Sequence, residues 1–225
     1  NPHDYDGNHY YMWDAKEQYW KGYEWTKNLG VGVGQPTVNY WFPGGAPSSN
    51  YPKRSDADGR FYHEGSGYIQ ASNSCAGLPN VNEMTWYAAY GDSRWDADEL
   101  WTTMGHLYKG GRWFKKKSVL LTEGNYNSNT AVDGTDWRTT SRLQTWSPSN
   151  TLPSAADANK YFYLPALGGY DSGRLDHIGS SGHYWSSSAL PRYSDYAYDL
   201  FFNNGNVYMY SRYRFFGFRA EPLFE

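Results

Sequence analysis

One turn near the end of the chain constrains the fold more than any other feature. Asn203-Asn204-Gly205 separates two runs rich in aromatic side chains, Ala197 to Phe202 and Asn206 to Tyr210. An Asn-Gly pair between such runs is the strongest short-range signal for a β-hairpin, because both residue types adopt the positive φ angles of tight hairpin turns. The sequence therefore predicts an antiparallel strand pair here. Runs of the same kind predict three further strands: Tyr161 to Pro165, His183 to Ser188, and Phe216 to Pro222.

A capped helix is predicted near the middle of the chain. It begins after Leu78-Pro79-Asn80 and continues to Tyr90. Asn80 can cap the first turn, and Glu83 stands three residues further on, as in a capping box. Gly91 then provides the usual stop.

Two more helices are predicted from residue spacing alone. The segment from Asp96 to about Lys109 precedes Gly110-Gly111 and has an apolar stripe that we interpret as core: Leu100, Met104 and Leu107. The segment from Trp13 to Lys27 is interrupted by Gly22 and has aromatic residues at helical spacing: Trp13, Tyr19, Trp20 and Tyr23. Residues 30–60 and 122–159 are rich in Gly, Pro, Ser and Asn, which predicts loops.

These elements predict an α+β fold in a single domain spanning residues 1–225, since neither an internal repeat nor a linker is evident. Within it we distinguish a loop-rich part (1–60), a loop or insertion (122–159) and a strand-rich C-terminal part (161–224). The chain begins at Asn1 without Met. We therefore expect it to be the C-terminal part of a longer protein, whose compartment its own first residues do not indicate.

Aromatic residues make up 20% of the chain, and 23 of its residues are Tyr. Apolar residues reach only 39%, which is low for a globular protein, but disordered chains are depleted in aromatic residues. The core must therefore be built largely from rings, with Tyr left over for the surface. Binding surfaces are enriched in Tyr because it offers a wide contact area with few torsions to order.

Several functional classes are disfavoured by composition. The net charge is -3 and the pI about 6.1, whereas nucleic-acid binding requires clustered positive charge. The short run Lys115-Lys116-Lys117 is interpreted as a solvated strand or helix end. Cys75 is the only cysteine, so it is expected to be a buried structural thiol. The six His lack metal-ligand spacing, and no apolar run approaches the ~20 residues of a membrane span. We expect no cofactor and no metal.

Four strings resemble known families. Leu78 to Ala89 resembles the LPTEAEWEYAA helix of the formylglycine-generating-enzyme-like branch of the C-type lectin fold. Gly182 to Ser188, followed by Ala197 to Phe202 and by Gly217-Phe218-Arg219, resembles the variable proteins of diversity-generating retroelements, found in gut bacteria of the Bacteroidales type and their phages. The resemblance covers about residues 75–224. It implies a C-type lectin fold with two helices, a mixed or antiparallel sheet and long loops, displayed on a cell surface or a phage tail tip.

A compositional bias in the C-terminal segment agrees with this resemblance. From Tyr161 to Ala220 the chain contains no Lys, Glu or Gln, with Trp185 its only Trp and Met209 its only Met. Retroelement mutagenesis converts AAY codons into NNY codons, which encode none of these five residue types. The alternative is a strand-rich segment that favours Tyr and Ser, but β propensity does not explain the absence of Lys, Glu and Gln.

The resemblance divides this segment into two sets of residues. The set that we call the frame matches the motif: Tyr184, Trp185, Ser186, Ser187, Ala197, Leu200, Phe202, Val207, Gly217 and Arg219. Strand alternation turns the intervening side chains to the opposite face, and the loop Leu190 to Tyr196 and the segment Ser211 to Phe216 are free to vary. The set that we call the contact set is predicted to touch a protein or glycan on a cell surface: His183, Leu190, Arg192, Tyr193, Asp195, Tyr196, Asp199, Tyr208, Tyr210, Arg212, Tyr213 and Phe215.

Two alternatives to a diversified binding module remain open. A lectin or adhesin with one fixed glycan specificity would use the same aromatic surface. A glycoside hydrolase needs two placed carboxylates, which could come from Asp171, Asp176, Asp195 and Asp199. Formylglycine-generating chemistry in the resembling family needs a pair of cysteines, and this chain has one. We therefore predict a binding module rather than an enzyme, without a catalytic residue.

Overall fold

The computed structural model describes residues 1–21, 70–171 and 173–224. Within these ranges the chain has an α+β fold that is mostly sheet, with two α-helices. The helices are α1 (Val81–Tyr90) and α2 (Lys117–Thr122). The strands are β1 (His3–Tyr5), β2 (Tyr10–Tyr11), β3 (Arg94–Thr103), β4 (His106–Lys115), β5 (Gln144–Trp146), β6 (Tyr161–Pro165), β7 (Gly169–Asp171), β8 (Arg174–Asp176), β9 (Gly182–Ala189), β10 (Tyr196–Phe202), β11 (Val207–Tyr213) and β12 (Phe218–Arg219).

The described strands form three sheets. The largest has the order β2-β12-β9-β10-β11-β5, a second has the order β1-β3-β4-β6, and β7 pairs with β8 alone. Helix α1 packs against β9, β10 and β11, and its apolar face covers one side of the six-stranded sheet. Arg112 on β4 is buried and donates through Nε to the carbonyl of Asn203 at 2.8 Å. This bond ties the four-stranded sheet to the turn between β10 and β11.

The predicted hairpin is confirmed. Strands β10 and β11 are antiparallel, with Phe202 opposite Val207. The side-chain oxygen of Asn203 accepts the backbone N–H groups of Gly205 and Asn206, both at 2.9 Å. Asn therefore stabilises this turn through its side chain, as turn-forming Asn residues commonly do.

The capped helix is also confirmed. Asn80 accepts the backbone N–H of Glu83 at 3.0 Å, and Glu83 accepts that of Asn80 at 2.8 Å. Gly91 is the C-terminal cap. The predicted strands beginning at Tyr161 and His183 form as β6 and β9, whereas the last predicted strand is shortened to the two residues of β12.

The helix predicted from Asp96 to Lys109 is wrong. This segment is the hairpin β3–β4, whose turn residues Met104 and Gly105 have φ angles of 50° and 77°. Positive φ at both central residues is the signature of a tight hairpin turn. Of the predicted stripe only Met104 packs against the core, because Leu100 is 46% and Leu107 61% exposed, while Trp101 on the alternate face is buried.

The helix predicted from Trp13 is also wrong for residues 13–21, which are irregular; the rest of it lies outside the described residues. Asp14 adopts a φ of 55° and accepts the backbone N–H groups of Ser72 and Asn73 at 2.7 and 2.6 Å. Tertiary hydrogen bonding thus replaces the local helix. The loop predicted over 30–60 lies outside the described residues, and 122–159 is largely irregular, with β5 its only strand.

Candidate ligand-binding surface

The face of the six-stranded sheet opposite α1 presents alternate side chains of β10 and β11. Along β11, Tyr208, Tyr210 and Arg212 are half-buried or exposed, whereas Val207, Met209 and Ser211 between them are buried. This alternation is the expected consequence of a strand with one face in the core. Every member of the frame is buried.

A row of rings crosses four neighbouring strands on this face. We call Tyr208, Phe201, His183 and Phe218 the aromatic row. Their ring centroids are separated in turn by 4.7, 4.6 and 4.4 Å, with interplanar angles of at most 22°. The register explains the alignment, because Phe201 lies opposite both Tyr208 and His183. Each stacked pair of rings stabilises the fold by about 0.5–1.5 kcal/mol in addition to the contribution of burial.

A second group of rings adjoins the row. We call Tyr193, Tyr196, Tyr213, Phe215 and Phe216 the aromatic cluster. Tyr196 and Tyr213 are 4.4 Å apart between centroids and lie opposite each other across β10 and β11. Burial raises the pKa of the Tyr196 hydroxyl, and a hydrogen bond with Tyr213 raises it further. Phe216 joins the cluster to the row, at 5.7 Å from Phe218, so the rings form one continuous surface.

Arg212 lies over this surface. Its guanidinium carbon is 4.3 Å from the ring centroid of Tyr210 and 5.4 Å from that of Phe201. Cation–π contacts of this kind contribute about 0.5–1 kcal/mol at exposed sites. Arg212 therefore places a half-buried positive charge among the rings, where it can donate to a ligand.

His183 forms a buried pair with Asp199. Its Nδ1 lies 3.0 Å from Asp199 Oδ2, and the Asp199 side chain is fully buried. Burial lowers the pKa of His183 below its usual 6.5, although the Asp199 carboxylate opposes this. A carboxylate oxygen only accepts, so Nδ1–H is the donor and Nε2 of the neutral ring is an acceptor.

The structure corrects the contact set at three positions. Asp199 is fully buried, Leu190 is 6% exposed and His183 is 8% exposed. Asp199 supports His183, and Leu190 belongs to the main core, so neither offers its side chain to a large ligand. The remaining members are half-buried or exposed: Arg192, Tyr193, Asp195, Tyr196, Tyr208, Tyr210, Arg212, Tyr213 and Phe215.

The segment from Ser211 to Phe216 is not uniformly free to vary. Arg214 is fully buried and donates through Nε to the carbonyl of Tyr196 at 2.8 Å and through Nη2 to that of Tyr193 at 3.3 Å. Its guanidinium also lies 4.9 Å from the ring of Trp13. Arg214 therefore holds the loop between β9 and β10, and Ser211 is buried beside it.

The contact set lacks three residues of this surface: Phe201, Phe216 and Phe218. Phe201 and Phe216 are half-buried, Phe218 is buried, and each bridges neighbouring rings. Period-two alternation from Asp199 would have placed Phe201 on this face. No comparable signal was available for Phe216, which lies after the end of β11.

A cavity of about 190 Å³ opens between this face and the β7–β8 pair. Its lining combines polar and aromatic groups from both sides: Gly169, Tyr170, Asp171, Asp176, His177, His183, Arg212, Phe216 and Phe218. Asp171 and Asp176 are two of the carboxylates considered for glycoside hydrolysis. Asp195 lies in the loop before β10, and Asp199 is fully buried.

Among the described residues, no group of three His, Cys, Asp or Glu side chains could hold a metal ion. Cys75 is fully buried, and burial raises the pKa of its thiol to about 12. None of the described helices has the length and apolarity needed to cross a membrane. Comparison of the chain with protein-family models, with curated proteins and with solved structures finds no match.

Proposed function

We propose that this protein is a ligand-recognition module that carries exchangeable side chains on a constant scaffold. In this proposal it is a variable protein of a diversity-generating retroelement with a C-type lectin fold, acting on a cell surface or a phage tail tip. One observation carries the proposal: in the segment that lacks Lys, Glu and Gln, the frame residues are buried, whereas along β11 the accessible residues Tyr208, Tyr210 and Arg212 alternate with buried ones.

The exposed side chains have the chemistry of a recognition surface. The continuous ring surface supplies contact area, while Arg192, Asp195 and Arg212 add charged groups at intervals. Interfaces concentrate their binding energy in Tyr, Trp and Arg residues. Tyr193 is 52% and Tyr210 is 37% exposed, so these rings can be covered by a partner without rearranging the sheet. A protein or glycan of a cell surface is the partner that we propose.

Two codon libraries test whether the contact set tolerates substitution and the buried positions do not. One library places NNY codons at Arg192, Tyr193, Tyr210 and Tyr213. The matched control places them at the buried positions Tyr198, Leu200, Val207 and Met209. Protease resistance of displayed variants reports folding. We expect most of the first library and almost none of the second to remain folded, because only the second removes core side chains.

Sequencing the gene in closely related genomes tests the biological claim. We expect substitutions at Tyr193, Tyr210 and Tyr213 alongside constant Tyr184 and Arg219, and a reverse transcriptase gene with a near-repeat template nearby. Identical residues at the three Tyr positions across many strains would favour a fixed-specificity module. Equal loss of folding in both libraries would remove the structural basis of the proposal.

A further inference from the structure

The cavity beside the aromatic row has the volume of a small-ligand subsite. Its volume of about 190 Å³ corresponds to roughly six water molecules at about 30 Å³ each. This space suits one monosaccharide unit. The β7–β8 pair forms one wall, and β9, β11 and the chain before β12 form the other.

One part of the wall is apolar and held in place by packing. The ring of Phe218 is stacked on His183 and lies 4.6 Å from Trp185 between centroids. It also packs on the backbone of Gly169, where an added Cβ would come within 2.5 Å of the ring. Phe216 continues this apolar surface. A ligand with one apolar face can stack here.

The polar part of the wall requires a hydrogen-bond donor from the ligand. The Nδ1–H of His183 is bonded to Asp199, and its Nε2 has no hydrogen-bond partner among the described residues. His183 is 92% buried (8% exposed) and lines the cavity. Nε2 is therefore an acceptor that the hydroxyl of a ligand in the cavity can satisfy.

The charges around the cavity balance, which favours an uncharged ligand. Asp176 forms an ion pair with Arg174, with Nε 3.0 Å from Oδ1. Asp171 and Arg212 also line the cavity and carry opposite charges. Arg212 would repel a protonated amine, and Asp171 and Asp176 would repel a carboxylate or phosphate. A neutral polyol meets acceptors in both carboxylates and a donor in Arg212.

We propose that this cavity binds a single neutral sugar ring, such as the terminal unit of a glycan, with its apolar face on Phe216 and Phe218. A hydroxyl of that ring donates to His183 Nε2, and others donate to Asp171 and Asp176. This subsite depends on the proposed function only because it lies on the same face of the protein as the proposed recognition surface. The surrounding aromatic surface then contacts the rest of the glycan or the carrier that bears it.

Saturation-transfer NMR and calorimetry with a panel of methyl glycosides test the subsite. The panel contains neutral hexosides together with their amino and uronic acid counterparts. We expect at least one neutral glycoside to bind, with its charged counterparts at least tenfold weaker. Phe216→Ala and Asp176→Asn should each weaken binding at least fivefold, because one removes the stacking surface and the other a charged acceptor. Tyr90→Ala is the control, because this exposed ring lies on α1, on the other side of the sheet, and its loss should leave affinity unchanged. Tyr193→Ala probes the neighbouring aromatic cluster.

Melting curves of all variants verify that they fold. The proposal is overturned if no neutral glycoside binds, if charged analogues bind better, or if both cavity variants keep full affinity. Binding that is lost in Tyr193→Ala but kept in Phe216→Ala would place the sugar on the aromatic cluster instead. The codon libraries do not depend on this cavity, so failure of the subsite and failure of the recognition module give different results.

Discussion

Comparing Arg214→Ala with Arg212→Ala tests whether this segment contains both structural anchors and exchangeable contact residues. Arg214 and Arg212 lie two residues apart at the end of β11, and both side chains belong to the segment without Lys, Glu or Gln. Arg214 is fully buried and bonded to the carbonyls of Tyr193 and Tyr196, whereas Arg212 is half-buried over neighbouring rings. Each arginine therefore serves as the control for the other.

The expected cost follows from these contacts. Hydrogen bonds from a charged donor contribute about 1.5–3 kcal/mol each, which gives about 3–6 kcal/mol for the two bonds of Arg214. The bond to Tyr193 is long, at 3.3 Å, and water can replace it beside an exposed ring. We therefore expect Arg214→Ala to lower the free energy of unfolding by about 3 kcal/mol. Arg212→Ala should cost about 0.5–1 kcal/mol, the value of an exposed cation–π contact.

Urea titration and thermal unfolding measure both variants. One kcal/mol corresponds to about 2–4 °C for a domain of this size, so Arg214→Ala should lower Tm by about 6–12 °C and Arg212→Ala by at most about 4 °C. Arg212→Ala should nevertheless weaken ligand binding, although it lowers the free energy of unfolding only slightly. Equal losses of stability in the two variants would refute the division of this segment into anchored and displayed residues.

Three further predictions concern the scaffold. Gly182→Ala should cost about 1–3 kcal/mol in urea titration, because the added Cβ would overlap the Phe202 ring, whereas Gly205→Ala at the open turn should cost much less. The pKa of His183 is lowered from 6.5 on folding, so the unfolded state binds more protons below that pH. The free energy of unfolding should therefore fall from about pH 7 to about pH 5.5, and less steeply in His183→Gln. Cys75, with its thiol pKa raised to about 12, should resist alkylation at about pH 8 until urea unfolds the protein, as mass spectrometry would detect.

The elements that the sequence predicted correctly are those specified by local chemistry. Asn80 and Glu83 satisfy backbone donors within one helical turn, and Asn203 does the same within one hairpin turn. Each signal involves groups only a few residues apart. Local hydrogen bonding of this kind survives the rest of folding because burial of the neighbouring apolar residues reinforces it.

The wrong predictions are those in which hydrogen bonds that span more than a helical turn override residue spacing. Leu100, Met104 and Leu107 are spaced as on a helix, but Trp101 donates its indole N–H to the carbonyl of Gly110 across the β3–β4 hairpin. The Asp14 carboxylate is bonded to backbone more than fifty residues away. Periodicity cannot anticipate either bond, since both require the tertiary arrangement to exist.

The same reason explains why the contact set could be predicted only in part. From Tyr161 to Ala220 every charged residue other than His is Arg or Asp, so buried anchors and exposed contacts use the same two residue types. Arg214 and Asp199 are buried and bonded, whereas Arg212 and Asp195 remain accessible. Residue type therefore cannot separate the two roles, and burial can. If the segment is diversified, the codon of Arg214 must be protected from mutagenesis, because its loss would release the loop between β9 and β10. The template that writes this segment should then carry at position 214 a CGY codon, which contains no adenine, and should carry mutable adenines at accessible positions such as codon 210.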